Sequence, residues 1–226
     1  NKLTKLIKYY SLINHNLILS NKSINRYNIE QPVIQGDKVK NLEKLREKIY
    51  EIKNCKLKEN ASNLVFSDGN PNAKVMIIGE GPGANEDKEG FPFVGRAGQL
   101  LDKMLNAINL SRRNVYITNV VNYRPPENRK PTEKEVERYL PYLKKHIEII
   151  KPKIILLLGS TAMNAILKNA DVISKMRGKW IEIEINKFKV FSIVSFHPAY
   201  LLRQPDQKKF SWIDLKMIRE KLRKVS

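Results

Sequence analysis

Polar and charged residues dominate this chain, and a few short apolar runs stand out against them. Val75 to Ile78 is continuous and bounded by turn residues, and Ile154-Ile-Leu-Leu-Leu is another such run. Runs of this length fit strands buried on both faces of a parallel sheet. Asn114-Val-Tyr-Ile-Thr-Asn-Val-Val reads as a further strand, and 181–185 and 189–195 read as two more around Asn186-Lys187. Between them the period changes to that of a helix. Leu42, Leu45, Ile49 and Ile52 predict a helix over 41–56, and Leu100, Leu101, Met104, Leu105 and Ile108 form one stripe from Ala97 onward. Thr132 followed by Glu135 forms a capping box opening a helix that runs to about Ile150, with a kink expected at Pro141. A short helix over 161–168 and a basic one over Lys208–Lys224 complete the pattern. Strands alternating with helices imply an α/β fold, a mainly parallel sheet covered on both faces.

The first 45 residues do not share this order. Leu3, Leu6, Ile7 and Tyr10 could line one helix face, Tyr9 and Leu12 blur it, and Ser20–Gly36 has no period and reads as linker. The expected organisation is a basic N-terminal extension, 1–45, and one domain, 46–226. The chain opens on Asn rather than Met, as expected of a piece of a longer product.

Charge narrows the partners. The 226 residues carry 42 Lys and Arg against 23 Asp and Glu, a formal +19. Such a charge attracts polyanions and speeds encounter with nucleic acid, although a coding bias toward Lys, Asn and Ile would produce it too. The single cysteine, Cys55, excludes an intramolecular disulfide, and no run approaches the ~20 apolar residues of a membrane span. The reading is an intracellular, cytoplasmic monomer with no membrane association.

The chemistry concentrates after the first strand. Gly79, Gly81, Pro82 and Gly83 break the chain where open α/β sheets bind ligands, and Glu80, Glu86 and Asp87 sit in or beside that loop. Gly79-x-Gly81-x-x-Ala84 matches a loose dinucleotide fingerprint, but that fingerprint needs a helix starting within the loop, and Pro82 with the polar segment 84–90 is read as intervening.

Gly79-Glu-Gly-Pro-Gly with Glu86-Asp87, then Gly90-Phe-Pro-Phe-Val-Gly-Arg-Ala-Gly-Gln-Leu-Leu, resembles the first motif of family 4 uracil-DNA glycosylases. The resemblance continues in order through Asn119, Arg124-Pro-Pro-Glu-Asn-Arg and His197-Pro-Ala-Tyr-Leu-Leu-Arg, over about Ile52 to Lys221. It implies a three-layer α/β/α sandwich around a mainly parallel four-stranded sheet, and an enzyme that flips uracil out of DNA and hydrolyses its N-glycosidic bond. Phe93 is then the stacking platform and Asn119 the reader of the uracil edge, with Gly81 also at the base. His197 donates toward uracil O2. Glu80 orients water or stabilises the cationic sugar, with Glu86 and Asp87 as competing carboxylates that the sequence does not rank. Leu201, Leu202 and Arg203 resemble a DNA-inserting loop, and Arg124, Arg129 and Lys130 suit phosphate backbone. Ser160 either binds phosphate or simply caps its helix. Each aromatic, Asn and His also has a plain structural reading, as core, cap or packing residue.

One departure is specific. Most members of the family it resembles hold a four-iron, four-sulfur cluster on four cysteines, and those positions fall here at Ile52, Cys55, Tyr123 and Tyr139. A single thiolate cannot replace four, so neither cluster nor metal is expected, and Ile52, Tyr123 and Tyr139 are expected to pack in its place as a small apolar plug. The alternative to a glycosylase is a catalytically inactive module of the same fold that binds DNA or damaged bases.

Overall fold

The computed structural model describes residues 36–168 and 171–224; the amphipathic stripe at Leu3–Tyr10 and most of the expected linker lie outside them. In chain order the elements are α1 (Gly36–Tyr50), α2 (Lys56–Asn60), β1 (Asp68–Gly69), β2 (Val75–Gly79), α3 (Ala84–Glu89), α4 (Arg96–Asn106), β3 (Val115–Asn119), α5 (Glu133–Ile150), β4 (Ile154–Leu158), α6 (Ser160–Leu167), α7 (Ile173–Met176), β5 (Trp180–Ile185), β6 (Phe188–Ser195), α8 (Pro198–Arg203) and α9 (Lys208–Lys224).

The strands form one sheet in the order β1-β3-β2-β4-β6-β5. Its four central strands are parallel, as the family resemblance implies, while β1 and β5 add antiparallel edges. Alternation along each strand divides the core between the two faces. Met76 and Ile78 of β2 point toward α1 and α5, where Leu42, Leu45, Ile49, Leu143 and Ile147 meet them. Val75 and Ile77 point the other way, toward Leu101 and Leu105 of α4 and Leu215 and Ile218 of α9. The result is three layers, α/β/α.

Helix α1 begins at Gly36 rather than 41 and ends at Tyr50 rather than 56. The boundary expected at 45/46 therefore falls inside a helix whose Leu42 and Leu45 are core residues. Helix α5 passes through Pro141 without interruption. Its capping box is formed: the Thr132 hydroxyl accepts from the Glu135 N–H at 3.3 Å and the Glu135 carboxylate accepts from the Thr132 N–H at 2.7 Å. The glycine loop after β2 does open a short helix, α3, with Gly83 at its N-cap. The absence of such a helix is thus no ground against a nucleotide site. What fills the anion position is internal, because Glu86 accepts from the Gly83 N–H at 3.1 Å and the Gly95 N–H at 2.9 Å.

No helix among the described residues is long and apolar enough to cross a membrane.

Candidate active site

Because β3, β2, β4 and β6 are parallel, their carboxyl ends share one edge of the sheet, and the loops leaving three of them converge there. They enclose a pocket of about 170 Å³ lined by Glu80, Gly81, Glu86, Phe93, Asn119 and His197, with Asn128, Arg129 and proline rings at its mouth. Two larger grooves of about 970 Å³ lie around Tyr50 and touch none of these six residues.

The pocket is assembled by close approach. Gly79 and Asn119 are paired across β2 and β3, and a Cβ on Gly79 would overlap both the Asn119 Oδ1 and the Phe93 ring. Only glycine leaves room for that meeting. Asn119 is 3% exposed and faces the pocket. Asn122, one turn of chain further, is instead engaged by the Val65 and Phe66 carbonyls. The Phe93 ring lies 5.5 Å from that of His197, the two planes 29° apart.

His197 caps α8, with Pro198 at the first helical position, where its missing N–H leaves nothing unsatisfied. The Ala199 N–H donates to His197 Nδ1 at 3.2 Å, so the proton of the neutral ring belongs on Nε2. Burial, together with Arg203 nearby, pushes the imidazole pKa down to about 4, against the opposing pull of Glu86. The ring is a neutral donor at neutral pH.

Three carboxylates left open by the sequence are separated by their partners. Glu80 faces the pocket, one oxygen held by the Thr161 hydroxyl from α6. Glu86 also lines the pocket, but its two oxygens brace the backbone at Gly83 and Gly95. Asp87 is buried and accepts from the Ser62 and Asn63 N–H groups at 2.9 and 3.1 Å, fixing the segment before β1.

The expected DNA-contact residues also divide. Leu201 is 1% exposed and belongs to the core under α4 and α9, so this side chain cannot act as a wedge; Leu202 and Arg203 are exposed. Arg129 forms a two-pronged pair with Glu135 at 2.7 and 2.8 Å. That bond, with the backbone cap at Thr132 beside it, holds the Glu135 carboxyl down at about 2 despite partial burial. Arg124 donates to Asn128 at 2.8 Å. Ser160 is the first residue of α6, beside Thr161. Two supporting residues escaped the sequence reading: Thr161, whose signal was its place at a glycine-led helix start beside Ser160, and Arg112, which contacts the Phe93 backbone and has no local signal at all.

Ile52, Cys55, Tyr123 and Tyr139 are all buried in the core on the α1 and α5 face of the sheet. The Cys55 thiol and Tyr139 hydroxyl are hydrogen-bonded at 3.3 Å. Burial, reinforced by Cys55, pushes the Tyr123 phenol up to about 12. One thiol, two protonated phenols and an aliphatic group do not fit an iron–sulfur cluster. Nor do the described residues contain any group of three or more His, Cys, Asp or Glu side chains able to hold a metal ion.

A pocket of this size at the carboxyl edge of a parallel sheet, with an aromatic wall, an amide, a neutral imidazole donor and a carboxylate, has the shape and the polar groups to accommodate a planar heterocycle. Comparison with known proteins specifies which class. The family model for the uracil DNA glycosylase superfamily matches residues 66–219. A type-4 uracil-DNA glycosylase of Sulfurisphaera tokodaii is 44% identical over 184 residues, 79% of this chain and 84% of that protein. One of Archaeoglobus fulgidus is 40% identical over 186 residues, 80% and 94% of the two chains. One of Thermotoga maritima is 44% identical over 163 residues, 72% and 83%. The chain belongs to the uracil-DNA glycosylase superfamily and, within it, to the type-4 group.

Proposed function

We propose that this protein excises uracil from DNA as the first step of base-excision repair, leaving an abasic site. The observation that carries the reading is the convergence of Glu80, Phe93, Asn119 and His197 on one pocket. A base in a duplex is out of reach, so the nucleotide must be extruded. The flipped uracil stacks on Phe93, worth about 1–3 kcal/mol. The Asn119 amide accepts from N3–H and donates to O4, a pattern that cytosine reverses.

As the N1–C1′ bond breaks, its electron pair leaves with the base and negative charge gathers on O2. His197 Nε2–H donates to that oxygen, a donor already in place where the charge develops. Glu80, fixed by Thr161, stabilises the cationic sugar and orients water, whose oxygen adds to C1′ while its proton passes to the carboxylate. Glu86 braces the loop that carries these groups. Leu202 and Arg203, with Arg124 and Ser160, face the DNA, and the +19 charge supplies non-specific attraction. We infer further that the protein works as an intracellular monomer without a cluster, its four ligand positions being a packed plug; iron near one cluster per chain in purified protein would overturn this.

The direct test is release of free uracil from oligonucleotides that contain uracil or cytosine at one position. Uracil released from the first, with nothing from the second, is expected. Tight binding of the uracil strand without release would indicate an inactive binding module instead.

A further inference from the structure

Phe93 is held in an unusual way. Its φ is +56°, in the left-handed region that bulky residues rarely adopt. Left to itself the loop would relax, and the ring would leave the position in which it meets Gly79, Asn119 and His197. Two features hold it. Helix α4 presents Gly98 to the Phe93 carbonyl, in space that any Cβ would fill. From the other direction Arg112, in a single helical turn just before β3, donates Nη1 to the Pro92 carbonyl at 3.1 Å and Nη2 to the Phe93 carbonyl. The guanidinium is itself anchored, Nε to Asp102 at 2.8 Å and Nη1 to Asp68 at 2.7 Å. It lies outside the pocket lining.

We propose that Arg112 is a positioning residue for base recognition: its planar fork fixes two successive carbonyls and so presets the Phe93 ring in the stacking orientation before uracil arrives. This rests on the reading of Phe93 as the stacking platform. A planar five-donor fork can hold two carbonyls and two carboxylates together, and a lysine ammonium cannot. Arg112→Lys therefore keeps the positive charge between Asp68 and Asp102, preserving the fold, while releasing the loop.

The test is a double-mutant cycle on uracil excision, with KM and kcat measured for wild type, Arg112→Lys, Phe93→Ala and the pair, well below each variant's melting temperature. Stacking contributes equally before and during bond breaking, so its loss raises KM and leaves kcat within about twofold. Phe93→Ala is expected to raise KM by roughly 5- to 150-fold, the range of base stacking on an aromatic. Arg112→Lys is expected to raise it at least about threefold, and to add nothing once Phe93 is gone. A merely structural arginine would lower the active fraction, and so apparent kcat, alike in both backgrounds. An unchanged KM in Arg112→Lys, or a rise that persists undiminished beside Phe93→Ala, overturns the proposal while leaving the platform intact. An unchanged KM in Phe93→Ala removes the platform reading and this inference with it.

Discussion

His197 offers the sharpest quantitative consequence of the geometry. With its pKa near 4 instead of the ordinary 6.5, only about 0.3% of the ring is protonated at pH 6.5. Protonation would moreover set an Nδ1–H against the Ala199 N–H it now accepts from, turning a bond into a clash of donors. Catalysis by the neutral ring thus predicts a single-turnover excision rate that is flat with respect to this group from about pH 8 down to 5.5, its acid limb centred near 4. His197→Ala should slow excision by about 10²–10³, some 2.7–4 kcal/mol, the usual loss on removing one donor from a developing oxyanion. The assay is quenched-flow excision of uracil from an end-labelled oligonucleotide over that pH range. A wild-type rate that instead falls as pH rises through about 6.5, with that basic limb absent from the variant, would make the imidazolium the catalyst. A variant within about twofold of wild type would remove His197 from the chemistry altogether.

Other consequences follow from buried contacts. Gly79→Ala should fold yet lose roughly a hundredfold or more in kcat/KM, because the new Cβ displaces Asn119 or Phe93 by up to an ångström; wild-type kinetics in a folded variant would contradict the close-approach argument. Asp214 is 0% exposed, paired with Arg177 and bonded by Ser195 at 2.7 Å. Asp214→Ala should destabilise by about 3–5 kcal/mol in denaturant unfolding, since it strands a nearly buried guanidinium. His146 is buried among Phe66 and Tyr116 with neither ring nitrogen hydrogen-bonded, and burial lowers its pKa to about 3. Its folded pKa lies below the unfolded value, so its contribution is complete above about pH 6.5 and is lost as pH falls toward 3, at up to about 1.4 kcal/mol per unit. Stability measured between pH 7 and 4 should fall less steeply in His146→Leu.

How much of this was legible depends on whether the signal was local. The buried strands announced themselves as continuous apolar runs, and the capping box at Thr132 and Glu135 could be read from two residues three apart. The strand-end positions of Asn119 and His197 placed them on one edge as soon as the sheet was taken as parallel. What stayed hidden depends on partners far away in the chain. Two residues, Asp68 and Gly69, make an edge strand only because β3 lies beside them. Glu80, Glu86 and Asp87 look alike in sequence and differ only in what they meet: Thr161, the Gly83 and Gly95 amides, or the Ser62 turn. Leu201 and Leu202 are adjacent and apolar, and the helical turn sends one into the core and leaves the other exposed.

The central claim is that the pocket around Asn119 removes uracil from DNA. Its most direct test is the count of alkali-labile strand breaks that purified protein produces in a uracil-containing oligonucleotide, with Asn119→Ala alongside. Two hydrogen bonds to the base edge are lost in the variant, so at least about a hundredfold fewer breaks per unit time are expected from it than from wild type. Equal breakage by the two proteins, or none from wild type while DNA binding is retained, would contradict the account.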